Sequence, residues 1–134
     1  MSNKKIGNDF EIELCNKLAE NGWWVTRLAP SSVGQPSDII AVKNNFPLLI
    51  DAKVCSNDKF ELSRIEPNQE SSMTLWEERG NIAAYFAMKL QNGEIYMISF
   101  DSIKIIESFN RKSITDFSIF LTLDQFLDLI EGRN

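Results

Sequence analysis

Nine consecutive residues, Phe46 to Val54, read as a β-strand whose apolar run breaks only near its end, at Asp51 and Lys53. Side chains alternate across a strand, so Phe46, Leu48, Ile50 and Ala52 share one face while Leu49, Asp51 and Lys53 share the other. A carboxylate and an ammonium therefore project side by side from a segment that a folded domain would normally bury. A buried acid is costly unless it is paired or bound to a metal. Two more acids stand in comparably awkward places. Asp38 opens the preceding strand, Ser37 to Val42, thirteen residues before Asp51. Glu11 falls with Leu14, Cys15 and Leu18 on the apolar stripe of a helix predicted over Asp9 to Asn21.

The 134-residue chain, 43% apolar and 25% charged, has the composition of one ordinary globular domain. No apolar run nears the ~20 residues that span a bilayer, and the polar start predicts no signal peptide. The expectation is a soluble, cytoplasmic protein with no membrane partner. There are no histidines, which removes Ser-His-Asp and Cys-His triads and His-ligated metals. Cys15 and Cys55 form no C-x-x-C pair and read as small apolar residues. The net charge of −5 argues mildly against a nucleic-acid partner. Residues 1–53, however, carry six basic and six acidic side chains, and setting aside Glu11, Asp38 and Asp51 leaves that half net positive.

Asn8 is the predicted cap of the first helix, Gly22 its stop, and Glu13–Lys17 an i,i+4 surface pair. Trp23 to Leu28 predicts a strand, followed by a Pro-, Ser- and Gly-rich loop over residues 29–36. Lys43-Asn44-Asn45 predicts a turn. Glu66 to Arg79 predicts a second helix, with Pro67 in its first turn and Gln69, Met73 and Trp76 on one stripe. Two strands, Ile82 to Met88 and Ile95 to Phe100, are joined by Gln91-Asn92-Gly93. An amphipathic helix over Leu123 to Ile130 closes the chain. The predicted order is α-β-β-β-α-β-β-α.

Acids on adjacent strand ends and on a covering helix repel one another unless a divalent cation holds them. Hard oxygen ligands select Mg²⁺ or Mn²⁺ over zinc. A lysine beside them orients or deprotonates a water, or stabilises charge on a phosphorane. Together these are the parts of metal-assisted phosphodiester hydrolysis.

This spacing resembles the PD-(D/E)xK nuclease superfamily, with Pro36-Ser37-Asp38 and Asp51-Ala52-Lys53 as the two half-motifs. Gly7-x-x-x-Glu11 and Ser37-Asp38-Ile39-Ile40-Ala41 are similar to segments of cellular and archaeal (Hjc-type) Holliday-junction resolvases. Phe60 to Ile65, Gln69 and Met73 resemble the stretch that follows the second half-motif in RecU-type resolvases. Arg111-Lys112-Ser113-Ile114 is similar to a basic RecU segment. The resemblance implies an α/β, restriction-endonuclease-like core: a central mixed β-sheet of about five strands flanked by helices, with residues 1–134 as a single nuclease domain.

It further implies that Asp38 and Asp51 are metal ligands, Glu11 a further carboxylate acting directly or through water, Lys53 the catalytic lysine, and Gln69 a water- or phosphate-positioning residue. The cofactor would be Mg²⁺, with Mn²⁺ able to substitute. The partner would be branched DNA, cut by a homodimer. Arg27, Ser31, Ser32, Gln35, Lys43 and Lys59 are candidates for DNA contact. A serine stands between the Pro and Asp of the first half-motif, and the long stalk insertion of RecU-type enzymes is missing. Two readings stand beside junction resolution: a nuclease of this fold acting on flapped or duplex DNA in repair or restriction, and a non-catalytic module that binds DNA or protein.

Overall fold

The computed structural model describes residues 2–29, 37–82 and 84–132. Its elements run α1 (Asn3–Glu20), β1 (Trp24–Arg27), β2 (Ile39–Lys43), β3 (Phe46–Val54), β4 (Phe60–Glu61), a 3-10 turn (Leu62–Arg64), α2 (Pro67–Glu78), β5 (Tyr85–Lys89), β6 (Ile95–Ser99), α3 (Phe100–Ser108), β7 (Ser113–Ile114), β8 (Leu121–Thr122) and α4 (Leu123–Ile130). The main sheet has the order β1-β2-β3-β5-β6-β8, and β4 with β7 forms a separate ribbon. Among the described residues only the β3–β5 pair is parallel; its crossover carries the 3-10 turn and α2. The other main-sheet pairs are antiparallel, so the sheet is mixed.

Strand alternation sorts the core into two layers. On one face, Phe10, Leu14 and Leu18 of α1 and Leu123, Phe126 and Leu127 of α4 pack on Ile39, Ala41, Leu48, Ile50, Ala87 and Met97. On the other, Met73 of α2 and Phe100 and Ile103 of α3 pack on Leu49, Phe86, Met88 and Ile98. Asp51 and Lys53 share parity with Leu49 and so emerge on the α2 face, at the end of a strand flanked there by β2 and β5. Pro47 lies before β5 begins to pair, where its missing N–H costs no ladder bond. The β2–β3 turn takes positive φ at Asn44 and Asn45, the conformation asparagine tolerates.

Several expectations change. Among the described residues the main sheet has six strands, not about five, because the two residues of β8 add an edge. α3 follows directly from β6, so its first residue is the Phe100 that the sequence pattern assigned to the strand. α1 begins at Asn3 with Ser2 as its cap, the Ser2 hydroxyl accepting from Lys5 N at 3.2 Å. Asn8 is instead inside the helix, and its side-chain oxygen accepts from Arg27. Glu13 pairs across elements with Lys89 rather than with Lys17. Cys15 and Cys55 are free thiols, the second buried. Among the described residues no helix is long and apolar enough to cross a membrane.

Candidate active site

Asp38 sits one residue before β2, yet its backbone continues both ladders. Its N–H donates to Ile50 O at 3.1 Å and its carbonyl accepts from Leu28 N at 2.8 Å. This clamp between β1 and β3 fixes the side chain, whose Oδ2 accepts from Ala52 N at 2.8 Å. Asp38 therefore grips the backbone between Asp51 and Lys53. The carboxylates of Asp38 and Asp51 face each other in a nearly dry setting, at 7% and 0% exposure.

Asp51 Oδ1 accepts from Gln69 Nε2 at 3.1 Å. Its Oδ2 lies 3.0 Å from Lys53 Nζ as an ion pair, but this buried atom takes no aligned hydrogen bond among the described residues. Gln69, at the start of α2, turns its amide oxygen to two donors, Lys53 Nζ at 3.3 Å and Glu66 N at 3.1 Å. With a carboxylate on one side and donors on the other, the amide has one satisfying orientation. Gln69 thus belongs both to the helix start and to the Asp51–Lys53 pair.

Burial and, next, the Asp38 charge push the Asp51 carboxyl up to about 7, against the pull of Lys53. Glu11 is raised by partial burial and by Asp38, with Arg27 opposing. Glu11 comes from α1, on the other face of the sheet, and its Oε1 accepts from Arg27 Nη2 at 3.0 Å. It feels Asp38 but does not join a compact trio: no group of three potential metal ligands converges among the described residues. The structure thus brings together Asp38, Asp51, Lys53 and Gln69, and leaves Glu11 beside them from the opposite layer.

The donor set fits a hard divalent cation. The Asp38 and Asp51 carboxylates stand close enough for each to feel the other's charge, and Asp51 Oδ2, ion-paired with Lys53 at 3.0 Å, has no further aligned partner among the described residues. Mg²⁺ typically takes one or two protein carboxylates and fills its shell with water and substrate phosphate, so a two-carboxylate site is sufficient.

The candidates for DNA contact divide. Ser31, Ser32 and Gln35 lie outside the described residues. Arg27 is half-exposed between Asn8 and Glu11. Lys59 is exposed and paired with Glu61 at 2.9 Å. Lys43 is at the far end of β2 from Asp38, roughly 16 Å along the strand, where its ammonium binds Glu131 and the Asn21 carbonyl. The structure does not bring Lys43 to the site. Trp23 is core, whereas Trp24 is 63% exposed. Arg64 carries no signal in the helix and strand periodicities, yet its carbonyl faces Lys53 Nζ.

The sequence model of the family described as archaeal Holliday junction resolvase (hjc) matches residues 2–132. A search of curated proteins finds no match. Among solved structures, that of Archaeoglobus fulgidus Hjc, a Holliday junction resolvase from an archaeal hyperthermophile, is similar with a TM-score of 0.71 at 20% identity, covering 90% of this chain and 99% of that one. At that identity the structural likeness speaks for the fold.

Proposed function

The chain belongs to the archaeal Holliday junction resolvase family and is thereby a structure-specific DNA endonuclease, and from that premise we propose that it hydrolyses phosphodiesters of four-way junctions at Asp38, Asp51, Lys53 and Gln69. The observation that carries the proposal is the facing, dehydrated Asp38–Asp51 pair with an ammonium 3.0 Å from one of its oxygens.

Asp38 and Asp51 would hold the cation, Mg²⁺ with Mn²⁺ able to substitute, and Glu11 would reach it through water. When bound, the ion supplies Lewis-acid stabilisation of charge gathering on the phosphate. The residues of the chain do the rest. Lys53, 12% exposed at its side chain, presents an ammonium at the edge of the pair, placed to orient water and to meet developing negative charge. Gln69 bridges the pair, its amide nitrogen donating to Asp51 and its amide oxygen accepting from Lys53. Ala52 N, through Asp38 Oδ2, locks the strand end that carries them. Because the Asp51 carboxyl is raised to about 7, a cation there would compete with its proton and would bind more tightly as pH rises.

Arg27 and Lys59 would contact the DNA backbone beside this centre, with Ser31, Ser32 and Gln35. Residues 1–134 are read as a single nuclease domain, acting in the cytoplasm as a homodimer, because paired cuts across a symmetric junction call for two sites related by a two-fold axis.

The test compares a synthetic four-way junction with a flap and a linear duplex under one condition. Wild type cuts the junction preferentially, needs Mg²⁺ and stops in EDTA. Asp38→Asn and Asp51→Asn lose at least ~10²–10³-fold in rate while keeping the wild-type circular dichroism spectrum. Full activity in either folded variant would reject the site. Equal cutting of the flap or duplex would reject the junction as the preferred substrate.

A further inference from the structure

We infer that Arg64 is a positioning residue for Lys53, a clip that holds the ammonium against Asp51 from outside the two half-motifs; this deepens the nuclease reading and rests on it.

Lys53 Nζ has three acceptors around it: Asp51 Oδ2 at 3.0 Å, Gln69 Oε1 at 3.3 Å and the Arg64 carbonyl at 3.5 Å. The first is on its own strand and the second on α2. The third belongs to the 3-10 turn, which must itself be tied to the end of β3 to hold its carbonyl there. The Arg64 side chain does so. It folds back so that Nη1 donates to Val54 O, the residue after Lys53, at 3.0 Å. Its guanidinium lies over the buried Phe60 ring, 5.3 Å from the centroid, and beside the Cys55 thiol, whose burial-raised pKa it opposes. One residue therefore bridges the strand end twice, carbonyl to the lysine side chain and side chain to the lysine's neighbour.

The chemistry asks for arginine. A planar, weakly hydrated guanidinium donates in plane while stacking on an aromatic face, and lysine's compact ammonium cannot do both at once. The 3-10 turn is otherwise pinned by Leu62 N to Lys112 O at 3.0 Å and Ile65 N to Leu62 O at 3.1 Å. Those bonds hold its two ends but not the carbonyl that faces Lys53. Arg64 is also exposed, so a direct phosphate contact is the competing role, and the experiment separates the two.

The test uses the full chain with Arg64→Met, which keeps an apolar stem over Phe60, and Arg64→Lys. The first readout does not involve cleavage. Lysine acylation by an N-hydroxysuccinimide ester is followed by mass spectrometry, with exposed Lys17 on α1 as internal reference. Arg64→Met should speed modification of Lys53 relative to Lys17 by ~3–10-fold, and Arg64→Lys should restore part of the protection. The second readout is single-turnover cleavage of the junction alongside its Kd measured in Ca²⁺. Arg64→Met should lower the cleavage rate ~10-fold or more with Kd within about twofold. Unchanged Lys53 reactivity overturns the proposal, as does a raised Kd with an unchanged rate, which would make Arg64 a phosphate contact. If Arg64→Met melts early, the reactivity ratio is read in Arg64→Lys alone, where wild-type protection overturns the proposal. Cleavage surviving in Asp51→Asn would instead reject the Asp38–Asp51 site while leaving the acylation result standing.

Discussion

Asp51 is where the fold opposes its own stability. Its carboxyl is raised from 3.8 to about 7, first by burial and then by the Asp38 charge. For an acid whose folded pKa lies above its unfolded value, the folded state holds the proton more tightly. This group therefore favours folding most below pH ~4, and its contribution declines as pH rises through 7. In EDTA, wild type should lose stability between pH 5 and 8 relative to Asp51→Asn, by on the order of a few kcal/mol. Added Mg²⁺ should cancel that loss. Urea melts of both proteins at the two pH values measure it; parallel pH dependences would contradict it.

At this scale the sequence was informative because awkward residues carry information. An acid in an apolar strand, a second at a strand opening and a glutamine on an apolar helix stripe are each unexpected alone, and the structure gathers Asp38, Asp51, Lys53 and Gln69. Glu11 was equally conspicuous, but periodicity says only that it faces inward on α1. Which layer α1 covers is a property of the whole sheet, and Arg27, its ion-pair partner, comes from a different element. Arg64 lies in the Phe60 to Ile65 stretch that carries the family resemblance, but no periodicity marks it, because its role lies in a carbonyl and a fold-back.

Long elements were legible. β3 matches its predicted Phe46 to Val54 span, α4 its Leu123 to Ile130 span, and α2 begins and ends one residue inside its predicted bounds. The two-residue strands β4, β7 and β8 were not, since two residues show no alternation and pairing alone defines them. The start of α1 differs because Ser2 and Asn8 are both good caps, and the added turns, Asn3 to Asn8, bury no residue whose periodicity would mark them.

The capping box of α4 offers a check on element energetics. Thr122 Oγ1 accepts from Gln125 N at 3.2 Å and Gln125 Oε1 accepts from Thr122 N at 2.9 Å. Thr122→Ala should cost ~1 kcal/mol, and Leu14→Ala, fully buried between α1 and the sheet, ~2–5 kcal/mol. Chemical denaturation ranks the two. The reverse order would mean that α4, not α1, carries the first core layer.

For the whole molecule, the −5 net charge is unevenly distributed: residues 1–53 carry six basic and six acidic side chains and residues 54–134 eight and thirteen, so the acidity lies mainly outside the half that supplies Asp38, Asp51 and Lys53. A homodimer acting on a two-fold junction should sediment at twice the 15.3 kDa chain mass and nick opposite strands of one junction within the lifetime of a single complex. Sedimentation as a monomer under cleavage conditions, or uncoupled nicks, would remove the dimer from the account.

Cleavage at this site depends on Asp38 and Asp51 sharing one hard cation. Anomalous diffraction from crystals soaked in Mn²⁺ measures this directly. A single strong peak ~2.0–2.3 Å from a carboxylate oxygen of each residue, lost in Asp51→Asn, is the predicted result. A peak bound elsewhere, or none at the Asp38–Asp51 pair at saturating Mn²⁺, would contradict it.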